Sequence, residues 1–521
     1  MVLASESDIS ELCLHIRTSR DCSPNSASAN IRIFTVLPQF VSKFVARHTR
    51  SSLIFPLSAT LYMRSPPTIA DDTTRFSVPI KRFFLSSIAL LAPLTSVKLG
   101  ELQTVEIYSF VAFGIVVAIV FRNRLRIAAE HEVLKLIKLY ALFFLIAAVL
   151  AAWALRLPTF PIQGTPLLKH APFLSLARLT QLSLVIGTIV ITTNILAMRP
   201  SLIALLCQCY VYGGVISCLY GIASWAALFA GVHLGGINIG GSYGETHRID
   251  GFFVEGGPFG VYLVSVILVS LFRRQVLHRG DSRAYWAQMG LFVVTLAAAE
   301  SKAAVLLGIV VGLYALFVTK RLRYAFAAVP IFLLLASFSH LTSRLHGYVD
   351  SYLHFKTLAH ANPHDTSLVE GRVMAAILVP IMVAHHPIAG IGIGNYSLQR
   401  NNPRFLGSLP LATTWDLPGL GLLGDAAEFG IPLLMYIYWL LWRPVTISRR
   451  MGAPPLVIIL AAYQTFAHTL GVQLTFVYPW IVSAIALGYS LSLKQSQESA
   501  PGNAQLFRGA AQQLPHSMPR N

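Results

Sequence analysis

The sequence predicts an all-α, polytopic membrane protein with about twelve transmembrane helices, and three observations predict it. The chain of 521 residues is 55% hydrophobic and only 12% charged, about half the roughly 25% charge of a soluble globular domain. Its mean hydropathy is +0.63, so lipid rather than water must cover most of its surface. The 40 Lys and Arg outnumber the 22 Asp and Glu, for a net charge of +18, and fall in short clusters between apolar runs, where membrane orientation accounts for them.

Residues 1–80 differ from the rest, being rich in Ser, Thr and Arg. No basic stretch runs directly into an apolar core and a small-residue cleavage site, so no cleaved signal peptide is expected. They read as a poorly structured cytoplasmic extension, or as chain upstream of a true start at Met63. A crossing helix needs roughly 20 apolar residues. Within a transmembrane domain of residues 81–492, that length places spans at 83–99, 104–121, 136–156, 177–198, 201–225, 256–272, 285–299, 303–319, 324–341, 419–442, 455–472 and 474–492. Residues 493–521 read as a disordered cytoplasmic tail. With the chain before Phe83 in the cytoplasm, sixteen Lys and Arg fall in short inside loops, against six outside: Lys98, Arg156, Lys169, Arg178, Arg248 and Lys302. That is the positive-inside bias, and it puts both termini in the cytoplasm. The one long connection, residues 342–418, falls outside and contains a helix-like stretch from Glu370 to His385. Loops of that length are usually functional.

Polar residues able to do chemistry collect at the outer face in four clusters. The first runs from Arg248 through Asp250, Gly251 and Glu255 to Pro258, and the second is Glu300-Ser301-Lys302. The third holds Glu370, Arg372, His385-His386-Pro387, Gly390, Gly392, Gly394 and Tyr396. The fourth holds Trp415, Asp416, Asp425, Glu428 and Gly430. Asp425 and Glu428, three apart, share a helix face, and carboxylates in a membrane helix normally meet a cavity or a basic partner. Arg presents a planar fork that matches phosphate oxygens. Structural roles compete throughout: Arg248 and Arg372 as snorkelling side chains, Glu255 and Glu428 as their counter-charges, Asp425 as cavity lining. His385-His386 reads as a loop pair without a third metal ligand, and the glycine stretch lacks the strand and helix of a dinucleotide loop. The five cysteines have no metal or disulfide spacing. No nucleic-acid module occurs, nor an Asp-x-Asp metal motif at a convincing site.

Across roughly residues 180–440 the chain resembles the O-antigen ligase/polymerase superfamily of bacterial inner-membrane enzymes. The resemblance rests on Arg248-x-x-Gly251-x-Phe253 at the head of a span, on Ser301-Lys302 where Ser-Arg is usual, and on Arg372 ahead of His386-Pro387-x-x-Gly390-x-Gly392-x-x-x-Tyr396. Glu428-x-Gly430, opening the span after the large loop, completes it. It implies a GT-C-like helical fold with one large periplasmic loop before the tenth helix. The Phe252-Phe253-x-Glu255-x-x-Pro258 surroundings are more like the polymerase branch. Gly419-Leu420 stand where ligases carry a His-Asn pair.

What the resemblance implies is a metal-independent, inverting glycosyltransferase without cofactor, polymerising undecaprenyl-pyrophosphate-linked oligosaccharide units at the periplasmic face. Membrane lipid would surround it, and a chain-length regulator protein stays open as a partner. Arg248 and Arg372 would hold the lipid pyrophosphate, with Lys302 as a further cation. Glu255 is the first choice for the base that takes the acceptor proton, with Glu428 or Asp416 second. Tyr396 and Trp415 would stack on sugars in an acceptor groove that Asp425 also lines. Two alternatives stay open: a ligase acting on lipid A core or another acceptor, and a flippase or transporter. A transporter would show midplane charges or paired broken helices.

Overall fold

A computed structural model describes residues 77–94, 98–99, 102–103, 131–162, 165, 170–229, 248–253, 256–320, 349–362, 366–369, 371–413 and 421–498. The expected spans 104–121 and 324–341 lie outside the described residues, as do Glu255, Trp415, Asp416, residues 1–76 and residues 499–521.

The described chain is helical except for one small hairpin, β1 (Lys98–Leu99) against β2 (Leu102–Gln103). The bundle is formed by α1 (Ser77–Leu91), α2 (His131–Ala154), α3 (Ala171–Met198), α4 (Leu202–Phe229), α5 (Gly256–Gln275), α6 (Ser282–Ala298) and α7 (Lys302–Val318). A cap of short helices follows: α8 (Phe355–Ala361), α9 (Thr366–Val369), α10 (Arg372–His385), α11 (Tyr396–Gln399) and α12 (Pro403–Leu406). The chain then returns to the bundle as α13 (Leu422–Arg450), α14 (Pro455–Thr469) and α15 (Val477–Glu498).

Most boundaries have a local cause. Pro172 opens α3 from within its first turn, where its missing N–H costs nothing. Asp281 caps α6 through the Arg283 N–H, and Ser301 caps α7 through the Ala304 N–H. The first span departs from its expected 83–99: α1 begins at Ser77 and ends at Leu91. Pro93 explains the early stop, because it lacks an N–H and disfavours helix in the residue before it. At the other end α15 stays helical to Glu498, six residues into the segment 493–521.

Among the described residues, five helices are long and apolar enough to cross a membrane: α2, α3, α4, α5 and α13. The chain is a membrane protein, and its long described elements are all helices. Leu145 and Val149 of α2, Val294 of α6 and Met435 of α13 turn outward, as lipid-facing side chains must. Inside, α15 runs along α3 and α14, and Gly488 admits Leu196, which a Cβ would meet at 2.5 Å. Cys207 and Cys218 are buried in α4 as packing residues.

The long connection is a packed unit rather than an open loop with a single helix. Phe355, Met374, Leu378, Met382, Tyr396, Phe405 and Leu406 form a core of their own, joined to the bundle through Ala427 of α13.

Candidate functional site

α13 is two helices, not one. Gly430 sits at φ 71°, ψ 169°, so the helix stops at Phe429 and restarts at Ile431. Only glycine fits, because a Cβ there would lie 2.4 Å from the Ile388 carbonyl oxygen. In an unbroken helix the Ala427 carbonyl would take the Ile431 N–H, and the Glu428 carbonyl would take the N–H of residue 432. Residue 432 is proline and has none. The segment after α10 supplies what is missing. Ile391 N–H donates to the Ala427 carbonyl at 2.8 Å, Gly392 N–H donates to the Glu428 carbonyl at 3.1 Å, and Ile431 N–H donates to the Pro387 carbonyl at 2.8 Å. Backbone groups shut away from water need such partners, each costing several kcal/mol if unmet in lipid.

This loop approaches the break closely because it carries glycine at the contact. Gly390 has φ 64°, and a Cβ there would meet the Glu428 carbonyl oxygen at 2.4 Å. The rest of the loop is wedged against the end of α2 and the start of α3. Phe160 N–H donates to the Leu398 carbonyl, Gln399 Nε2 to the Pro158 carbonyl, and Ser175 Oγ to the Ile393 carbonyl at 2.9 Å.

The Glu428 side chain ties the same loop a second time. One carboxylate oxygen accepts from Gly394 N–H at 2.8 Å, the other from Tyr396 N–H at 3.4 Å. Arg178 of α3 lies within electrostatic reach of that carboxylate and donates to Gln181 Oε1 at 3.0 Å. One turn earlier on α13, Asp425 Oδ2 is shut off from solvent with no hydrogen-bond partner among the described residues. The Glu428 carboxylate and Tyr438 are within electrostatic reach of Asp425. Tyr396 is not available to stack on a sugar, as the sequence suggested: it is 8% exposed, inside the core of the cap. Burial pushes its phenol up from the ordinary value.

His385 and His386 pack around Phe405, with ring centroids 5.5 and 6.1 Å away, and His386 also meets Trp153 at 6.2 Å. Burial, His385 and Arg404 hold the His386 imidazole below its ordinary value. No group of three or more His, Cys, Asp or Glu that could hold a metal ion occurs among the described residues.

A second group forms around Arg248. Its Nε lies 3.8 Å from Glu300, which holds φ 44° in the tight turn ahead of Ser301 and Lys302. The neighbouring motif residues are structural. Gly251, at φ 59°, leaves no room for a Cβ beside Phe259 and Ser217. Phe253 packs into an aromatic cluster with Phe259, Tyr262 and Tyr478 at 5.5–6.0 Å. Ser301 Oγ donates to the Gly257 carbonyl.

Both groups lie at one end of the bundle. Phe253 touches Tyr478 at the head of α15, just after the turn in which Gly471 receives Gly421 at the head of α13. The structure thus brings Arg248 to Glu300, two residues before Lys302, and Glu428 to Asp425 and the Tyr396 backbone N–H. Arg372 is the exposed first residue of α10, which packs on α13. A cation there opposes the helix dipole, so the position brings α10 no stability of its own.

Three residues of the site were not picked out from the sequence: Arg178, Ser175 and Tyr438. For Arg178 a signal exists, since it is the one charged residue in the apolar stretch Ala171–Met198. No protein-family model matches the chain, and no curated protein matches it.

Proposed function

We propose that the protein is a glycosyltransferase of the bacterial inner membrane that polymerises undecaprenyl-pyrophosphate-linked oligosaccharide units at the periplasmic face. On this reading about twelve crossings in a GT-C-like arrangement put both termini in the cytoplasm and the cap outside. One observation carries it. His386-Pro387-x-x-Gly390-x-Gly392 and Glu428-x-Gly430, the two separate stretches of the resemblance, form a single hydrogen-bonded unit that includes the Glu428 carboxylate, with Asp425 beside it.

In the reaction an acceptor sugar hydroxyl attacks the anomeric carbon of the donor. The bond from that carbon to the pyrophosphate breaks, and its electron pair leaves with the lipid pyrophosphate. Arg248, Arg372 and Lys302 supply fixed positive charge for the departing group, which counts most where solvent is scarce. The acceptor proton passes to a carboxylate.

The break in α13 favours a second reading, since carriers also bind at interrupted helices. Substrate accumulating in vesicles without bond formation is its signature. The deciding experiment is the surface-polysaccharide ladder of a deletion strain complemented with wild type or Arg248→Ala. Polymerase loss leaves single repeats on the acceptor, with no rescue by the variant. Polymer left on the carrier lipid means a ligase, and an unchanged ladder means neither.

A further inference from the structure

Glu428 and Asp425 are the two carboxylates that the structure describes beside the break, and their surroundings differ. Glu428 spends both oxygens on backbone, receiving Gly394 N–H at 2.8 Å and Tyr396 N–H at 3.4 Å. Protonating that carboxylate would weaken the bonds by which it ties the loop. Asp425 Oδ2 receives no hydrogen bond from the described residues and is closed off from solvent. A buried carboxyl oxygen without a donor is costly. A second buried polar atom, the Tyr438 hydroxyl, lies within electrostatic reach of Asp425. An oxygen that lacks a donor, next to a phenol, suits a ligand bearing hydroxyl groups.

Resting on the glycosyltransferase reading, we propose that Asp425 is the carboxylate that receives the acceptor sugar's hydroxyl proton, and that Glu428 is a positioning residue. The saccharide hydroxyl donates to Asp425 Oδ2. As its oxygen bonds to the donor's anomeric carbon, the proton moves to Asp425, and the bond to pyrophosphate breaks with its electron pair going to the phosphate oxygen. Glu428 acts through the loop: by fixing residues 392–396 against the first segment of α13, it fixes the short helix from which Asp425 projects. Gly421 seats the other end of that segment against Gly471, where a Cβ would meet the Gly471 Cα at 2.4 Å.

The test uses the full chain in the deletion strain and in membranes isolated from it with their own lipid-linked substrate. Asp425→Asn is expected to lower polymer by about a hundredfold or more, the range of a lost general base, with unchanged membrane abundance and unchanged Tm. Asp425→Ala is expected to regain part of its polymerisation when formate is added to the membranes, because formate fits the vacated space as a replacement base. Glu428→Gln is expected to keep a ladder but lose Tm, since one N–H then faces an amide NH₂, and formate changes nothing in Glu428→Ala. A normal ladder from Asp425→Asn, or formate rescue at position 428 and not at 425, overturns the assignment while leaving the polymerase reading intact. A ladder unchanged by deletion overturns both.

Discussion

The Glu428 carbonyl accepts the Gly392 N–H at 3.1 Å, in the place of the N–H that Pro432 does not have. One residue's missing donor is met by another some forty positions earlier in the chain. The docking therefore depends on the break staying broken.

Gly430→Ala is expected to lower the Tm of the detergent-solubilised protein. The substitution forces a left-handed alanine and a clash with the Ile388 carbonyl, at a cost of about 2 kcal/mol or more. A Tm within one degree of wild type refutes the tight contact.

Gly430→Ala combined with Pro432→Ala restores both the helical backbone preference and the missing N–H. With α13 able to continue unbroken, the loop loses its partners. Limited proteolysis is expected to cut within residues 387–396 faster than in wild type, and equal protection argues that other contacts hold the loop.

His386 gives a pH dependence with a definite sign. Its folded-state pKa is lowered, so above the ordinary histidine value both folded and unfolded forms are neutral and the residue contributes nothing. As pH falls below that value the unfolded chain takes up the proton more readily, and the fold is destabilised. His386→Gln is expected to shrink the Tm drop between pH 7.5 and pH 5, whatever it does to the Tm itself. An unchanged drop removes His386 from the acid response.

Gln464 of α14 is fully buried, with both amide atoms lacking a partner among the described residues. Replacing it with leucine removes that penalty and is expected to stabilise by about 1–3 kcal/mol, read as a rise in Tm. A fall instead reveals that the amide is bonded to trapped water.

Helix positions among the described residues were legible because long apolar runs are local signals. The two-part nature of α13 was not. Gly430 and Pro432 lie in an apolar run that reads as a continuous span, and what stabilises the break comes from the far side of the cap. The same distance hid the role of Glu428, whose partners Gly394 and Tyr396 lie more than thirty residues away. The resemblance implied a sugar platform at Tyr396, but the loop turns that ring into the core of the cap. The pairing of Asp425 with Glu428 on one face was correct from spacing alone. Their unequal surroundings required the fold.

The first segment of α13, which carries Asp425, joins the second through a single pivot at Gly430. The loop is fastened on both sides of that pivot, to Ile431 on one and to Ala427 and Glu428 on the other. It works as a splint across a joint. Any swing of the short segment that carries Asp425 must either unfasten the splint or drag the cap along with it. Whatever grips the cap thereby acquires leverage over the position of a carboxylate it never touches.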